Sequence, residues 1–309
     1  MIILNKSIPN IKFPKTIYYQ NQIHIFGLKS LCVDKTNNIS KFIVVHNIYD
    51  LEFNLLLNNN LSNKFPNDKS ILIWNIEELS DAFKFLIEYK SIDTKTHSSQ
   101  YYHYYIEKNS INTINTINTN TNKTYFNIIN IEKLQLENHL IFNYSFNTNK
   151  TDKIILSSEI TKDEDRPDYY WGKYLFTFYS PSLDNKIIPQ FDKIVNYQKD
   201  KGHIIHSILN KGDYYWILFS IRHVINNNND IISINNDNNT KYYYQIYEST
   251  TTDFKTFKNT KKVNIINNIS NSKWYCYPNI IIIDDKYYVL INQDDFGKEK
   301  ETLIGTINI

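Results

Sequence analysis

Cysteine is almost missing from this chain of 309 residues: Cys32 and Cys276 are the whole supply. Two cysteines cannot build a disulfide framework and their spacing fits no zinc site, so they read as isolated thiols of a reducing compartment. Glycine occurs 6 times, and the sequence holds no G-x-G-x-x-G, no phosphate-cradling loop, no G-x-S-x-G and no H-E-x-x-H. No cofactor and no metal site are expected on that ground. Arginine is limited to Arg166 and Arg222, and the lysines are scattered without a basic stripe, which argues against a nucleic-acid partner. A net charge of +2 with 21% charged residues implies neither strong steering of charged ligands nor a self-repelling disordered chain. Long apolar runs are lacking as well. No stretch approaches the ~18 residues of a membrane span, and the opening MIILNKSIPNIKFPK has too short an apolar run for a signal peptide. The expectation is a cytoplasmic protein with no membrane partner.

What the chain has in plenty is Asn, Ile, Lys and aromatics, including 25 Tyr and 17 Phe. In so Asn-rich a sequence, sequons such as Asn143-Tyr144-Ser145 are expected by chance. The most organised stretch is Tyr277 to Asn292, YPNIIIIDDKYYVLIN: an apolar run, a two-acid turn and an aromatic, β-branched run. That pattern predicts a buried antiparallel hairpin. Phe13 to Leu28, FPKTIYYQNQIHIFGL, matches it without a gap when Pro14 is laid on Pro278, which places Gln20-Asn21-Gln22 over Asp284-Asp285-Lys286. Two hairpins at opposite ends of the chain thus share a register, a sign of internal repetition.

Further hairpins are expected at 126–146, 165–180 and 202–220, with single strands at Lys41 to His46, Ser70 to Trp74, Lys153 to Ser157 and Leu303 to Ile307. Residues 77–89 stay ambiguous. Asn75 and Glu78 resemble a capping box, and Leu79, Phe83, Leu86 and Ile87 share one face of a helix, yet SDAFKF also resembles the strand-like TDFKTF at 252–257. The tracts 108–124 and 226–240 are low-complexity and read as solvated loops. Five inner hairpins in one domain, 1–309, favour an all-β, five-bladed β-propeller; the alternative is a β-sandwich with a short inserted helix at 77–89.

The elements YPNIIIIDDKYYVLIN, DRPDYYWGKYLFTFYS, GDYYWILFS and YYYQIYESTTTDFKTF together resemble the five-bladed β-propeller glycoside hydrolases of the arabinanase, xylosidase and fructosidase type. In that superfamily a Pro-containing acidic motif opens a strand, a tight turn leads into a YYL-type strand, and S-x-D-x-x-x-W follows a later one. Here Ser249 to Phe257 reads STTTDFKTF, with Phe257 in the place of the Trp. The resemblance implies a carbohydrate ligand, and acids at the starts of inner strands. Asp165, beside Arg166-Pro167, matches the family's Asp next to Pro and is the candidate catalytic carboxylate. The equivalent places hold Lys12-Phe13 and Cys276-Tyr277 in the first and last hairpins, and Lys201-Gly202-His203 stands where Glu-Gly-Pro would precede the acid.

Glycosidic cleavage needs two carboxyl groups flanking the bond, so the missing acid leaves catalysis open and makes a noncatalytic scaffold for a protein partner the alternative function. In a propeller, first strands start and second strands end on one rim of the channel. That places Asp165, Arg166, Asp168, His203, Arg222, His223, Asp294 and Asp295 around one face, as catalytic (Asp165) or substrate-binding groups. The structural readings stand beside these. Asp163 to Asp168 fit a solvated acidic loop, the two arginines fit ties between blades, and His203 and His206 fit hydrogen-bonded core positions. Trp171, Trp216 and Trp274 fit either core filling or stacking on a sugar.

Overall fold

The computed structural model of the chain describes residues 1–8, 11–34, 39–66, 69–91, 99–111, 126–134, 140–147, 153–160, 174–180, 183–187, 190–192, 203–224, 242–269, 275–293 and 301–309, with the backbone alone for the strands between 140 and 187. After β1 (Ile2–Ile8), sheet I holds β2 (Lys12–Tyr19), β3 (Gln22–Asp34), β4 (Ile39–Tyr49) and β5 (Leu55–Asn60) in chain order. Sheet II holds β6 (Lys69–Glu78), β7 (Ala82–Ser91), β8 (Ser99–Glu107) and, past the helical turn α1 (Lys108–Ile111), β9 (Ile128–Leu134). Sheet III is β10 (Leu140–Asn147), β11 (Lys153–Ile160), β12 (Tyr174–Ser180) and β13 (Leu183–Ile187). Sheet IV takes β14 (Gln190–Phe191) on the outside of β15 (His203–Asn210), β16 (Tyr215–Val224), β17 (Tyr242–Thr251) and β18 (Thr256–Lys262). After β19 (Ile265–Asn267), sheet V runs β20 (Tyr275–Ile283), β21 (Lys286–Gln293) and β22 (Thr302–Ile307), and is completed by β1 and then β19.

This is an all-β, β-propeller fold. Each sheet packs on the next in chain order through its first strand: β6 on β2 and β4, β10 on β6, β15 on β10 and β12, and β20 on β15 and β17. The last then packs on the first, β20 and β21 on β2. Closure is also made within sheet V, where the N-terminal β1 pairs antiparallel with the C-terminal β22, Ile2 opposite Ile307 and Ile8 opposite Thr302. The pairing depends on Gly305, because a Cβ there would stand 2.0 Å from the Ile3 carbonyl oxygen. Apolar side chains from facing sheets meet to form the cores. Phe26, Leu28 and Val44 of sheet I pack with Phe83, Phe85 and Ile87 of sheet II, while Ile23, Ile25 and Val45 pack the opposite face of sheet I on Ile281 and Leu290 of sheet V.

The match between Pro14 and Pro278 is reproduced in backbone detail. Gln20 and Asn21 have φ of 49° and 59°, Asp284 and Asp285 of 47° and 61°. Both hairpins therefore turn on two left-handed residues, as the twist of the flanking strands favours, and Gln22 already belongs to β3, opposite Tyr19. A β-bulge interrupts both first strands at the same place, between Lys12 and Lys15 and between Cys276 and Asn279. The other three first strands bulge as well, at Trp74, Asn143 and His206.

Three expectations are corrected. Residues 77–89 form no helix: β6 and β7 pair from Lys69 opposite Ser91 to Glu78 opposite Phe83, which removes the sandwich with an inserted helix. The apolar spacing that suggested a helix arises because β7 is covered on both faces, with Phe83, Phe85, Ile87 and Tyr89 buried on one side and Ala82, Leu86 and Glu88 on the other. The expected hairpin 126–146 spans two sheets, with β9 as the last strand of sheet II and β10 as the first of sheet III, and 174–180 is a third strand. The inner hairpin of sheet III is β10–β11, and that of sheet II is β6–β7. The loop expected at 108–124 begins instead with α1, whose Ser110 and Ile111 are buried; residues 112–125 and the whole tract 226–240 lie outside the described residues.

Candidate functional site

The starts of β2, β6, β10, β15 and β20 and the ends of their partner strands lie on one rim, by the antiparallel pairing of each hairpin. Two non-glycine residues there are held in left-handed backbone, Phe13 at φ 51° and Tyr277 at φ 52°. Such conformations cost about 1 kcal/mol or more and persist only where the surroundings impose them. Here neighbouring sheets impose them. The Phe13 N–H donates to Asn292 Oδ1 at 2.7 Å, and Asn292 Nδ2 donates in turn to the Ile11 carbonyl at 3.3 Å and Thr302 Oγ1 at 3.1 Å. One turn of pleat further on, the Thr16 N–H donates to Asn279 Oδ1 at 3.0 Å, and the Thr16 hydroxyl donates to the same oxygen. The result is a pair of rings across the first and last sheets, Phe13 and Tyr277, with centroids 4.5 Å apart and edge to face. Phe42 meets Phe13 at 5.8 Å and carries the Lys12 ammonium over its face.

Tyr277 also touches His206 of sheet IV, at 5.9 Å between centroids. His206 is buried and bonded through Nε2 to Ser220 Oγ at 2.7 Å. Desolvation, and after it the charge of Lys15, hold its pKa well below the usual histidine value. Lys15 lies just past the bulge in β2. Burial alone lowers its pKa from 10.5 to about 8, and no hydrogen bond or ion pair to its ammonium is present among the described residues.

In sheet II the bulge residue Trp74 donates Nε1–H to Glu88 Oε2 at 2.8 Å, and the Tyr101 hydroxyl donates to Oε1 of the same buried carboxylate at 3.1 Å. At the start of β6, the Lys69 ammonium lies over the Tyr89 ring and donates to Gln100 Oε1. Away from the rim, His24 and His46 are stacked and share an Nδ1 to Nε2 contact of 3.1 Å within the core between sheets I and II. Desolvation pushes His24 down to about 4 and His46 well below its usual value. A cleft lined by Lys64, Glu107, Ser110 and Phe126 sits by α1, at the opposite end of sheet II from the rim.

Of the residues singled out in the sequence, Asp165, Arg166, Asp168, Asp294 and Asp295 lie outside the described residues. His203 starts β15 opposite Ile221, and Arg222 and His223 stand at the end of β16, so the backbone puts these three on the rim. His206 is a hydrogen-bonded core residue, as expected. Trp216 is also core, 4% exposed and donating to Glu248 Oε2, while Trp171 and Trp274 lie outside the described residues. Asp253 of the STTTDFKTF stretch accepts from the Lys255 and Thr256 N–H groups at 2.9 and 2.7 Å, so this acid ties a turn, and Phe257 is fully buried. Lys15, Trp74 and Phe13 carry no motif that would have marked them as a site. The only prior signal was their position beside the shared proline register or in an inner strand.

No family model matches the sequence, and no curated protein matches it. Solved structures do. An exo-1,5-α-L-arabinanase from a bovine ruminal metagenomic library is similar over 97% of this chain and 94% of its own, at 9% identity and TM-score 0.59. An α-L-arabinofuranosidase from Lactobacillus brevis is similar over 99% and 93%, at 10% identity and TM-score 0.55. The mannose phosphorylase MPT-4 from Leishmania mexicana is similar over 99% and 87%, at 9% identity and TM-score 0.55. At such identities the likeness is one of fold, and it covers nearly the whole chain: this protein has the β-propeller fold of the arabinanase and xylosidase type that its motifs resemble.

Proposed function

We propose that this chain is a carbohydrate-binding propeller of five blades, one per sheet, which takes its ligand at the channel mouth. The observation that carries the reading is the group of rings at the first-strand bulges of sheets I and V, Phe13 and Tyr277 with Phe42 beside them and Lys12 over Phe42; Trp74 occupies the bulge of sheet II. Aromatic faces beside a few fixed polar groups suit the apolar face and hydroxyl edge of a sugar ring. The fold-level neighbours include a structure of an arabinanase complexed with arabinohexaose, which supports the same class of ligand.

Binding is favoured over cleavage by what the first strands lack. Their opening residues, KFP, KSILIWN, LIFN, HIIH and YCYP, contain no acid, whereas hydrolysis takes two carboxyl groups roughly 5 to 9.5 Å apart. Asp165 is the one carboxylate to which the motif resemblance points. A glycan array and a panel of chromogenic glycosides, applied to wild type and Asp165→Ala, test the reading. The expected result is glycan binding without turnover. Turnover that Asp165→Ala abolishes would make the protein a hydrolase, and the lack of any bound glycan would remove the carbohydrate reading.

A second reading, a protein-binding scaffold, is favoured by the outermost strands of sheets I and II. Leu55 and Leu56 on β5 and Ile129 and Ile131 on β9 are each about half exposed, and apolar edge strands are common docking sites. An empty glycan array, together with partner capture lost in a Leu55→Lys, Ile129→Lys variant, would favour it.

A further inference from the structure

The cleft by α1 has a volume of about 370 Å³ and lies at the seam between sheets I and II, away from the rim. Its walls come from both sheets, and each is held in place. On one side the turn Ser62–Lys64, between β5 and β6, is flanked by Leu61 and Phe65, whose buried side chains belong to the core of the two sheets. On the other side the Ser110 hydroxyl accepts from the Asn127 N–H at 3.0 Å and donates to the Glu107 carbonyl at 2.7 Å. Asn127 Nδ2 donates in turn to Glu107 Oε2 at 2.8 Å. The buried Phe126 lines the cleft from within and meets Phe65 at 6.2 Å between ring centroids, so one packing contact joins the two walls.

Charges of both signs therefore face one small space. Lys64 and Glu107 line the same cleft without pairing with each other, whereas Lys84 pairs with Glu77 and Lys108, the neighbour of Glu107 in the chain, with Glu78. We propose that the cleft binds a small zwitterion of amino-acid size, its carboxylate toward Lys64 and its ammonium toward Glu107, with the Asn109 amide as a further polar contact. The volume lies at the small end of the range for ligand sites, which suits a ligand of that size. A molecule with both charges satisfies both walls at once, while a simple anion or cation is left beside a wall of its own sign. A sugar is disfavoured, because Phe126 is 2% exposed and offers no face for stacking. Since Lys64 belongs to the connection out of sheet I and Glu107 to sheet II, the bound ligand ties the two sheets together and stabilises the fold by mass action. The inference stands apart from the carbohydrate reading, which concerns the rim.

Titration of the full chain at pH 7 and constant ionic strength, followed by NMR through the side-chain amide signals of Asn109 and Asn127, tests this with L-alanine, sodium acetate, ethylammonium chloride and glucose as probes. L-Alanine should saturate with a dissociation constant of about 1 mM, at least about 5-fold tighter than acetate or ethylammonium. Glu107→Gln should lose about 10-fold of that affinity, and Lys64→Met, at an exposed position, about 3-fold. Saturating L-alanine should raise the melting temperature of wild type, and by less in either variant. Lys64→Met, being in an exposed turn, carries the test if Glu107→Gln fails to fold. No saturable response to L-alanine, an equal response to acetate or ethylammonium alone, or unchanged affinity in the folded variants overturns the inference. A response to glucose alone would make the cleft a second sugar site and overturns it too. None of these results touches glycan binding at the rim, which the glycan array reports separately.

Discussion

The hairpins β2–β3 and β20–β21 share a backbone and differ in what their side chains do with it. Both bulge at an aromatic residue and the proline after it, both hold that aromatic residue in left-handed backbone, and both turn on two positive-φ residues. At the position after the proline, however, one has Lys15 and the other Asn279. The Asn279 carboxamide accepts two hydrogen bonds from Thr16 and so fastens sheet V to sheet I. Lys15 makes no such bond among the described residues, and burial lowers its pKa. Opposite the bulge the first hairpin has Gly27, where a Cβ would stand 2.2 Å from Ile11 Cγ2, and the last has Ile291, fully buried. Three positions earlier in each second strand, His24 in a buried histidine pair answers to Tyr288, packed near Phe53. The repeat sets backbone and register, and equal positions are then free to build the ring in one copy and to carry charge in the other.

The largest effect expected from breaking this comparison concerns His24. Its folded pKa of about 4 lies below the unfolded 6.5, so the unfolded chain binds the proton first as pH falls. The neutral-histidine stability is fully present above about pH 6.5 and is lost as pH falls toward about 4, on the order of 3 kcal/mol, with His46 acting in the same direction. Urea titrations of wild type and His24→Tyr at pH 7.5 and 4.5 should show a smaller acid loss in the variant; an equal loss would place the acid sensitivity elsewhere. Next is Asn292→Ala, which strips the acceptor from the Phe13 N–H, while the Ile11 carbonyl keeps the bond from the Thr302 hydroxyl. A cost of about 2 kcal/mol is expected for the backbone N–H left unpaired, read as a lower urea midpoint with an unchanged slope. The smallest is Lys15→Asn, which gives the first hairpin the residue of the last. It should raise stability at pH 7 by about 1–2 kcal/mol, less than the full shift because Lys15 is only partly covered. Wild type should recover that difference between about pH 8 and 10.5, as the folded chain releases the Lys15 proton before the unfolded chain does.

The fold was legible where turn chemistry and alternation coincide. YPNIIIIDDKYYVLIN could be assigned, and laid on Phe13 to Leu28, because a two-residue turn locks register on both sides. The inner hairpin of sheet II was not, since Phe83 to Tyr89 is buried on both faces and loses its period of two. Pairing across sheets, such as β9 and β10 falling to different blades, depends on long-range packing that no local pattern reports. The site was less legible still. His206 could be read as a core histidine because it sits in an apolar run, but Lys15 looks like any strand lysine until the neighbouring sheets close around it. Phe13 and Tyr277 were visible only as residues standing where the family resemblance led one to seek an acid.

The most direct test of the account is the titration of the Lys15 side chain, followed by NMR in protein labelled on its lysine side chains and assigned by comparison with Lys15→Gln. The account predicts a midpoint near pH 8. A midpoint near the ordinary 10.5 would show a solvated lysine and contradict it.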